Sequence, residues 1–355
     1  SAMRVMQCPT CRAPLFFEND VCLACSTTVG FRPDPFDLVA VDGGDGPWMW
    51  CANRPVAGCN WAVEAPGELC LSCSLTRTRP PDGTDVGALF VATEGAKRRL
   101  VAHLVDLGLP LVSFRDDPDG GLGFDLLSGR LDSSVVIGHE DGLITLDVDE
   151  ADPEHRERVR RELGEAYRTV LGHLRHEVGH YYWTVLVDQG GAVDASRSRF
   201  GDERADYAEA VGAHYGGPGP EGWEDGFVSA YATMHPWEDW AETFAHYLHI
   251  RDTVQTAAEA GVTVRASWRG GAAAPSPTAD EGPFRALVRD WIDLAGALNL
   301  VNRSMGAPDL YPFVLAPKVI DKLAFVDTLV RSTTAAPALG EPRGSRVPDS
   351  GEAPA

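Results

Sequence analysis

Apolar residues recur at three- and four-residue steps from Val159 through Leu163, Ala166, Val170, Leu174, Val178 and Tyr181 to Val185. That spacing puts them on one face of a helix. Asp152-Pro153 supplies an N-cap residue followed by proline at the first helical position. The pattern therefore predicts one long amphipathic helix over about 153–187. Upstream, short apolar runs at 111–114, 123–127, 135–138 and 143–148 are separated by Asp-Gly and Ser-Gly turn signals. They predict a small, mainly antiparallel sheet of three or four strands. In the last run Ile144, Leu146 and Val148 alternate with Leu143, Thr145 and Asp147, as a half-buried strand should. Further helices are predicted at 94–107, 200–215, from 231 to about 250, 284–299 and 317–331. Arg79-Pro80-Pro81-Asp82-Gly83 reads as a linker, and 216–220 and 270–283 read as loops. From Ser332 on, the Pro-, Ala-, Gly- and Ser-rich chain is expected to be disordered.

All eight cysteines lie before residue 74. Cys8, Cys11, Cys22 and Cys25 form two Cys-x-x-Cys knuckles, and Cys51, Cys59, Cys70 and Cys73 form a second, less regular quartet. Two knuckles together present four thiolates, the ligand set of a tetrahedral structural zinc. Such modules have little apolar core, so the metal would supply most of their folding energy, about 10–16 kcal/mol per site. Spacing alone also allows a cross-braced pairing of Cys8 and Cys11 with the later set. The fold class that follows is α+β. Two zinc-ribbon-like modules at 1–78 and a linker at 79–90 precede a mainly helical domain at 91–331 with its small sheet, and a tail is read at 332–355.

His176-Glu177-Val178-Gly179-His180 reads His-Glu-x-x-His. On a helix, residues four apart share a face, so both imidazoles can reach one metal ion. Glu177 is then placed to take a proton from an activated water. A catalytic zinc takes a third protein ligand and leaves one position open. Glu238 and Glu242, four apart, can both face the cleft, with Asp202, Glu203, Asp206, His173, His235 and His246 as competitors.

This pair of segments, His176 to His180 with Glu238-Asp239-Trp240-Ala241-Glu242, resembles the gluzincin metallopeptidases of the anthrax lethal-factor and Pro-Pro endopeptidase type. The resemblance implies that Glu238 is the third ligand and that Glu242 supports the site from the next turn. It also implies that Tyr231, seven residues before Glu238, stabilises the oxyanion. Over its whole length the chain resembles a bacterial family that joins a zinc ribbon to a zinc-binding metallopeptidase. Cys8 to Cys11, Leu171 to Trp183, Phe200 to Tyr207 and His235 to Glu242 carry that second resemblance. The expected cofactors are one catalytic and two structural Zn²⁺, and the expected reaction is peptide hydrolysis, with Glu177 as general base and Glu242 orienting His180. Rival readings are a catalytically silent zinc-ribbon binding module and a self-processing or single-substrate amidohydrolase.

Composition narrows the partners. With 31 basic and 52 acidic residues the net charge is −21. Residues 1–80 hold six arginines, no lysine and eight acidic residues, and two four-thiolate zinc centres would add about four negative charges. A phosphate-binding surface is therefore not expected. The ribbons are better suited to docking a protein or a peptide substrate. Trp48, Trp50 and Trp61 are expected to pack over the metal modules. No run approaches the roughly 18 apolar residues of a membrane span. The first residues lead straight into a cysteine pair rather than an apolar leader, so a reducing, cytoplasmic setting is expected.

Overall fold

The structure, a computed structural model, describes residues 4–41, 47–216, 220–265 and 282–335. In the first module β1 (Met6–Gln7) pairs antiparallel with β2 (Pro14–Leu15), and β3 (Val29–Arg32) with β4 (Asp37–Ala40). Both knuckles close the same way. Arg12 and Ser26, each just after the second cysteine of its pair, adopt φ of 65° and 60° and donate backbone N–H to Cys8 and Cys22 carbonyls. The second module has a two-residue pair, β5 (Met49–Trp50) with β6 (Ala62–Val63), and the short helices α1 (Arg54–Ala57) and α2 (Leu71–Ser74). Phe17, Phe31 and Trp61 form the shared core, with centroid separations of 4.8, 4.9 and 6.4 Å. Trp48 and Trp50 are half-buried under guanidinium groups of Arg32 and Arg54, at 3.9 and 3.7 Å.

The second module runs without a break into the larger sheet. β7 (Thr76–Thr78) starts two residues after α2 and pairs parallel with β8 (Gly123–Leu127). α3 (Gly87–Asp106) begins inside the stretch read as linker, seven residues before the helix predicted at 94. It carries the fully buried pair Lys97–Glu94 (2.8 Å), and Glu94 Oε1 also accepts from Thr76 Oγ1 at 2.6 Å. Arg98 donates back to the carbonyls of Ala57 and Gly58.

The sheet order is β7-β8-β10-β9, where β9 is Gly138–Glu140 and β10 is Leu143–Asp147. β10 is parallel to β8 and antiparallel to β9. The sheet is thus mixed, where a mainly antiparallel one was expected. The run at 111–114 forms only an isolated bridge, Ser113 to Leu122, and β7 takes the outer place instead. The β9–β10 hairpin follows its turn signal. Asp141 and Gly142 adopt φ of 46° and 84°, the two positive values of a type I′ turn.

The long helix expected over 153–187 is broken. α4 (Pro153–Glu162) starts as predicted, Asp152 accepting from Glu154 N–H and Pro153 following. It stops at Gly164, whose φ is 68°. Gly164 N–H bonds Arg161 O and Glu165 N–H bonds Arg160 O, the paired bonds of a Schellman end. Thr169 Oγ1 then accepts from Gly172 N–H at 2.9 Å and caps α5 (Val170–Tyr182), which continues as π-helical turns at Trp183–Asp188. The apolar stripe failed as a guide in its first half because α4 buries none of its residues.

Past the motif, α6 (Val193–Phe200), a helix not predicted, ends at Gly201 (φ 100°), and the helix expected at 200–215 begins only at Tyr207, as α7 (Tyr207–Gly216). α8 (Pro236–Glu259) runs nine residues beyond its predicted end, and α9 (Pro283–Ser304) and α10 (Pro317–Ala335) follow. Residues 332–335, expected to be disordered, complete α10. The rest of the tail, and the 270–283 loop up to 281, lie outside the described residues. α5 crosses α8 at Gly179. A Cβ there would sit 3.0 Å from Ala241 Cα and 3.1 Å from Ala241 O, so any other residue would have to push the two helices apart by a few tenths of an ångström. Trp240 Nε1 donates to Gly179 O at 2.8 Å across the same crossing. Among the described residues no helix is long and apolar enough to cross a membrane.

Candidate metal centre

The close crossing of α5 and α8 brings the first turn of α8 against the motif. His176, His180 and Glu238 place ligand atoms within 4.8 Å of one another, all three residues buried. Glu238 Oε2 lies 3.0 Å from His176 Nε2 and 3.6 Å from His180 Nε2. Tetrahedral bonds near 2.1 Å require edges of about 3.4 Å, so this donor set fits a zinc ion. His235 Nδ1 caps α8 by accepting from Trp237 N–H at 3.1 Å, and Pro236 follows at the first helical position. Glu238 is thereby fixed at the helix start. Its other oxygen, Oε1, accepts from Tyr207 Oη at 2.9 Å. Burial opposes the charge of Glu238, but His176 and His180 outweigh it and hold the carboxyl well below the usual range.

Glu242 sits one turn on, outside the ligating set. Its Oε1 is 2.7 Å from His176 Nδ1, and its Oε2 accepts from Ser229 Oγ at 2.6 Å. Glu242 therefore orients His176 rather than His180, as sequence reasoning had it. His180 Nδ1 is buried without a partner among the described residues. Its ring is held by stacking instead, on Trp237 at 4.9 Å and 15° and on His139 at 6.0 Å and 27°.

Behind the motif lies a buried chain of charge. Glu177 Oε1 is 3.1 Å from His173 Nε2, and His173 Nδ1 is 3.0 Å from Glu150 Oε2. Arg168 pairs with Glu150. Burial opposes the His173 imidazolium, but Glu150 and then Glu177 outweigh it and raise the group to about 9. Burial likewise opposes the Glu177 charge, yet His173 first, then His176 and His180, hold that carboxyl down at about 2. Glu177 Oε2 is buried with no partner among the described residues.

The other competitors are spent elsewhere. Glu203 pairs with Arg197, Asp202 with Arg204, and Asp206 accepts from Glu209 N–H at the start of α7. His246 bonds Tyr311 Oη at 2.6 Å in the core. Tyr231, in a 3-10 turn ahead of α8, has its ring 5.8 Å from that of His176. A cleft of about 370 Å³ opens over these groups, with Tyr207, Tyr231, Trp237, Ile137 and His139 in its wall. Sequence reasoning missed the roles of Tyr207, His139, Glu150 and Ser229. Tyr207 alone had a signal, as the last residue of a quoted motif.

The cysteines gather as two separate quartets, Cys8, Cys11, Cys22 and Cys25, then Cys51, Cys59, Cys70 and Cys73. The Cys8–Cys25, Cys11–Cys22 and Cys59–Cys70 sulfurs are each 3.6 Å apart. Zinc–sulfur bonds near 2.3 Å give tetrahedral edges of about 3.8 Å, whereas a disulfide would need about 2.05 Å. The second quartet is wholly buried, while Cys11 and Cys25 of the first are exposed.

Comparison with known proteins agrees with this geometry. Residues 87–329 match the family described as "Putative zinc-binding metallo-peptidase", and residues 5–84 match a zinc-ribbon domain family. Uncharacterized proteins of Mycobacterium bovis and Mycobacterium tuberculosis are each 47% identical to this chain over 332 residues, covering 92% of it and 95% of the relative. No solved structure matches it. With two thiolate quartets ahead of a buried His₂Glu set, and with matches to both families along its length, the chain belongs to the zinc-binding metallopeptidase family and carries a zinc-ribbon domain in front of it.

Proposed function

We propose that this protein is a zinc-dependent peptidase that hydrolyses a peptide bond by general-base attack of water. Glu177 carries the reading. One of its oxygens is tied to His173, and the other is buried and unpartnered beside the three-ligand set. Leaving a buried carboxylate oxygen without a donor costs roughly 1–3 kcal/mol or more. A purely structural metal site has no use for such an oxygen, whereas a hydrolytic one needs it. A zinc ion bound there would supply an acidified water and a polarised substrate carbonyl.

The chain's own residues do the rest. Glu177 Oε2 accepts the proton of the attacking water and returns it to the leaving amine. The Tyr231 hydroxyl hydrogen-bonds the oxyanion, a contact worth roughly 3 kcal/mol in comparable sites. Tyr207 and Glu242 hold Glu238 and His176 in place through the bonds described above. β9 ends the sheet, and its residues Gly138 and His139 line the cleft. Its free edge is suited to adding an extended peptide as a further strand. The two cysteine quartets are assigned one structural zinc each, and the ribbons dock the substrate or a protein partner in a reducing compartment.

Glu177→Gln tests the reading. The variant keeps its metal content, about three zinc ions per chain by the donor sets, and loses hydrolysis of a fluorogenic peptide library by at least about 100-fold. A fully active variant removes Glu177 from the reaction. Wild type that cuts neither the library nor itself with all sites loaded leaves a silent binding module.

A further inference from the structure

One polar group in the cleft wall has no part in the reaction as described. His139 lies on the edge strand β9 and stacks on His180. The backbone N–H of Gly142, across the type I′ turn, donates to His139 Nε2 at 3.1 Å. An imidazole nitrogen that accepts a hydrogen bond carries no proton, so the neutral ring holds its proton on Nδ1. No described residue takes that Nδ1–H, and the ring faces the cleft. The two ligand imidazoles are 5.0 Å apart, with Tyr231 beside His176 and His139 beside His180. The site thus has a hydroxyl donor at one end and an imidazole donor at the other.

We propose that His139 is a second substrate-contacting donor, its Nδ1–H hydrogen-bonding the reacting carbonyl oxygen of a peptide laid along β9, from the side opposite Tyr231. The hairpin turn makes the donor available. By occupying Nε2, Gly142 fixes both the tautomer and the ring plane, so little ordering is needed when the substrate arrives. This assignment rests on the peptidase reading above.

The test uses the full-length, zinc-loaded protein and two probes. One is an N-phosphoryl dipeptide with a leucine side chain, whose charged tetrahedral oxygens reach both the metal and neighbouring donors. The other is acetohydroxamate, which is small enough to contact little beyond the metal. His139→Phe, which keeps the stacking but has no donor, should weaken the phosphoryl dipeptide by about 10- to 100-fold, as loss of a hydrogen bond to a charged group does. Acetohydroxamate affinity and zinc per chain should stay at wild-type values, and His139→Gln, which can donate, should recover part of the loss. Imidazole ¹⁵N spectra of the wild type should show His139 protonated on Nδ1. An unchanged phosphoryl-dipeptide affinity, an equal loss for both probes, or a proton found on Nε2 each overturns the proposal, and the spectrum does so even if the variants do not fold. Wild type that binds neither probe in a zinc-dependent way defeats the peptidase reading itself and this assignment with it.

Discussion

Gly179→Ala places one methyl group at the crossing on which the metal site depends. The added Cβ would meet Ala241 Cα at 3.0 Å and Ala241 O at 3.1 Å, both backbone atoms that cannot swing aside. Carbon contacts settle near 3.5–4.0 Å, so α5 and α8 must part by about 0.5 Å. That movement is divided across the same interface that sets Glu238 at 3.0 Å from His176 and 3.6 Å from His180. Metal–ligand distances tolerate only about ±0.2 Å. Overpacking of this kind costs about 1–3 kcal/mol, against roughly 1 kcal/mol gained by replacing glycine with alanine in a helix. Folding stability should therefore change by no more than about 2 kcal/mol. Zinc affinity at the His₂Glu set should fall by about 10- to 100-fold, the range seen when groups supporting a metal site are disturbed. Competition against a calibrated chelator measures the affinity, and calorimetry the stability. Gly212→Ala on α7 is the control, because a Cβ there meets nothing within 4 Å. It should stabilise slightly and leave zinc affinity alone. A Gly179→Ala protein that behaves like this control, more stable and with unchanged affinity, would refute the account of the crossing.

Three further outcomes follow from the same geometry. A chain starting at Gly87 lacks β7 and Thr76, so β8 keeps β10 but loses the other of its two parallel partners, and the buried Lys97–Glu94 pair loses its third member. It should show no cooperative thermal transition, and melting like the full-length protein would show that the peptidase region does not need the strand. His173, raised to about 9 in the folded protein, has a stabilising effect fully present below its ordinary value near 6.5 and lost as pH rises through 9. Urea unfolding between pH 6.5 and 9.5 should show a decline of a few kcal/mol that His173→Gln abolishes, and an identical decline in the variant would assign it to another group. A mercurial thiol reagent should release the zinc of the first quartet, with its exposed Cys11 and Cys25, well before that of the buried second quartet. Simultaneous release would contradict the difference in access.

Chemistry carried by neighbours in the chain was legible in the sequence. The cysteine spacing supplied eight thiols for two four-cysteine sites and left their pairing open, His176 to His180 supplied two candidate ligands and a candidate base, and Asp152-Pro153 and Asp141-Gly142 marked a helix start and a hairpin turn. Each of these depends on backbone geometry within a few residues. The α+β class and the order of ribbons before the helical domain followed from the same local signals. Tertiary contact decided the rest. Periodicity alone could not separate α4 from α5, because Gly164 closes one helix and Thr169 opens the next while the apolar stripe runs through both. Glu238 and Glu242 share a helical face, and on residue spacing alone either could be the third ligand. The crossing at Gly179 puts Glu238 against both imidazole Nε2 atoms and leaves Glu242 with His176 Nδ1 and Ser229. β7 entered the sheet from a segment read as the end of a zinc module, since a parallel pairing with a strand 45 or more residues away leaves no periodic trace. Tyr207 and His139 reach the cleft from separate elements, 31 residues before Glu238 and 37 before His176. Sequence therefore determined which groups can bind metal or move a proton. The packing of α5 against α8, with one glycine between them, decided which of those groups meet.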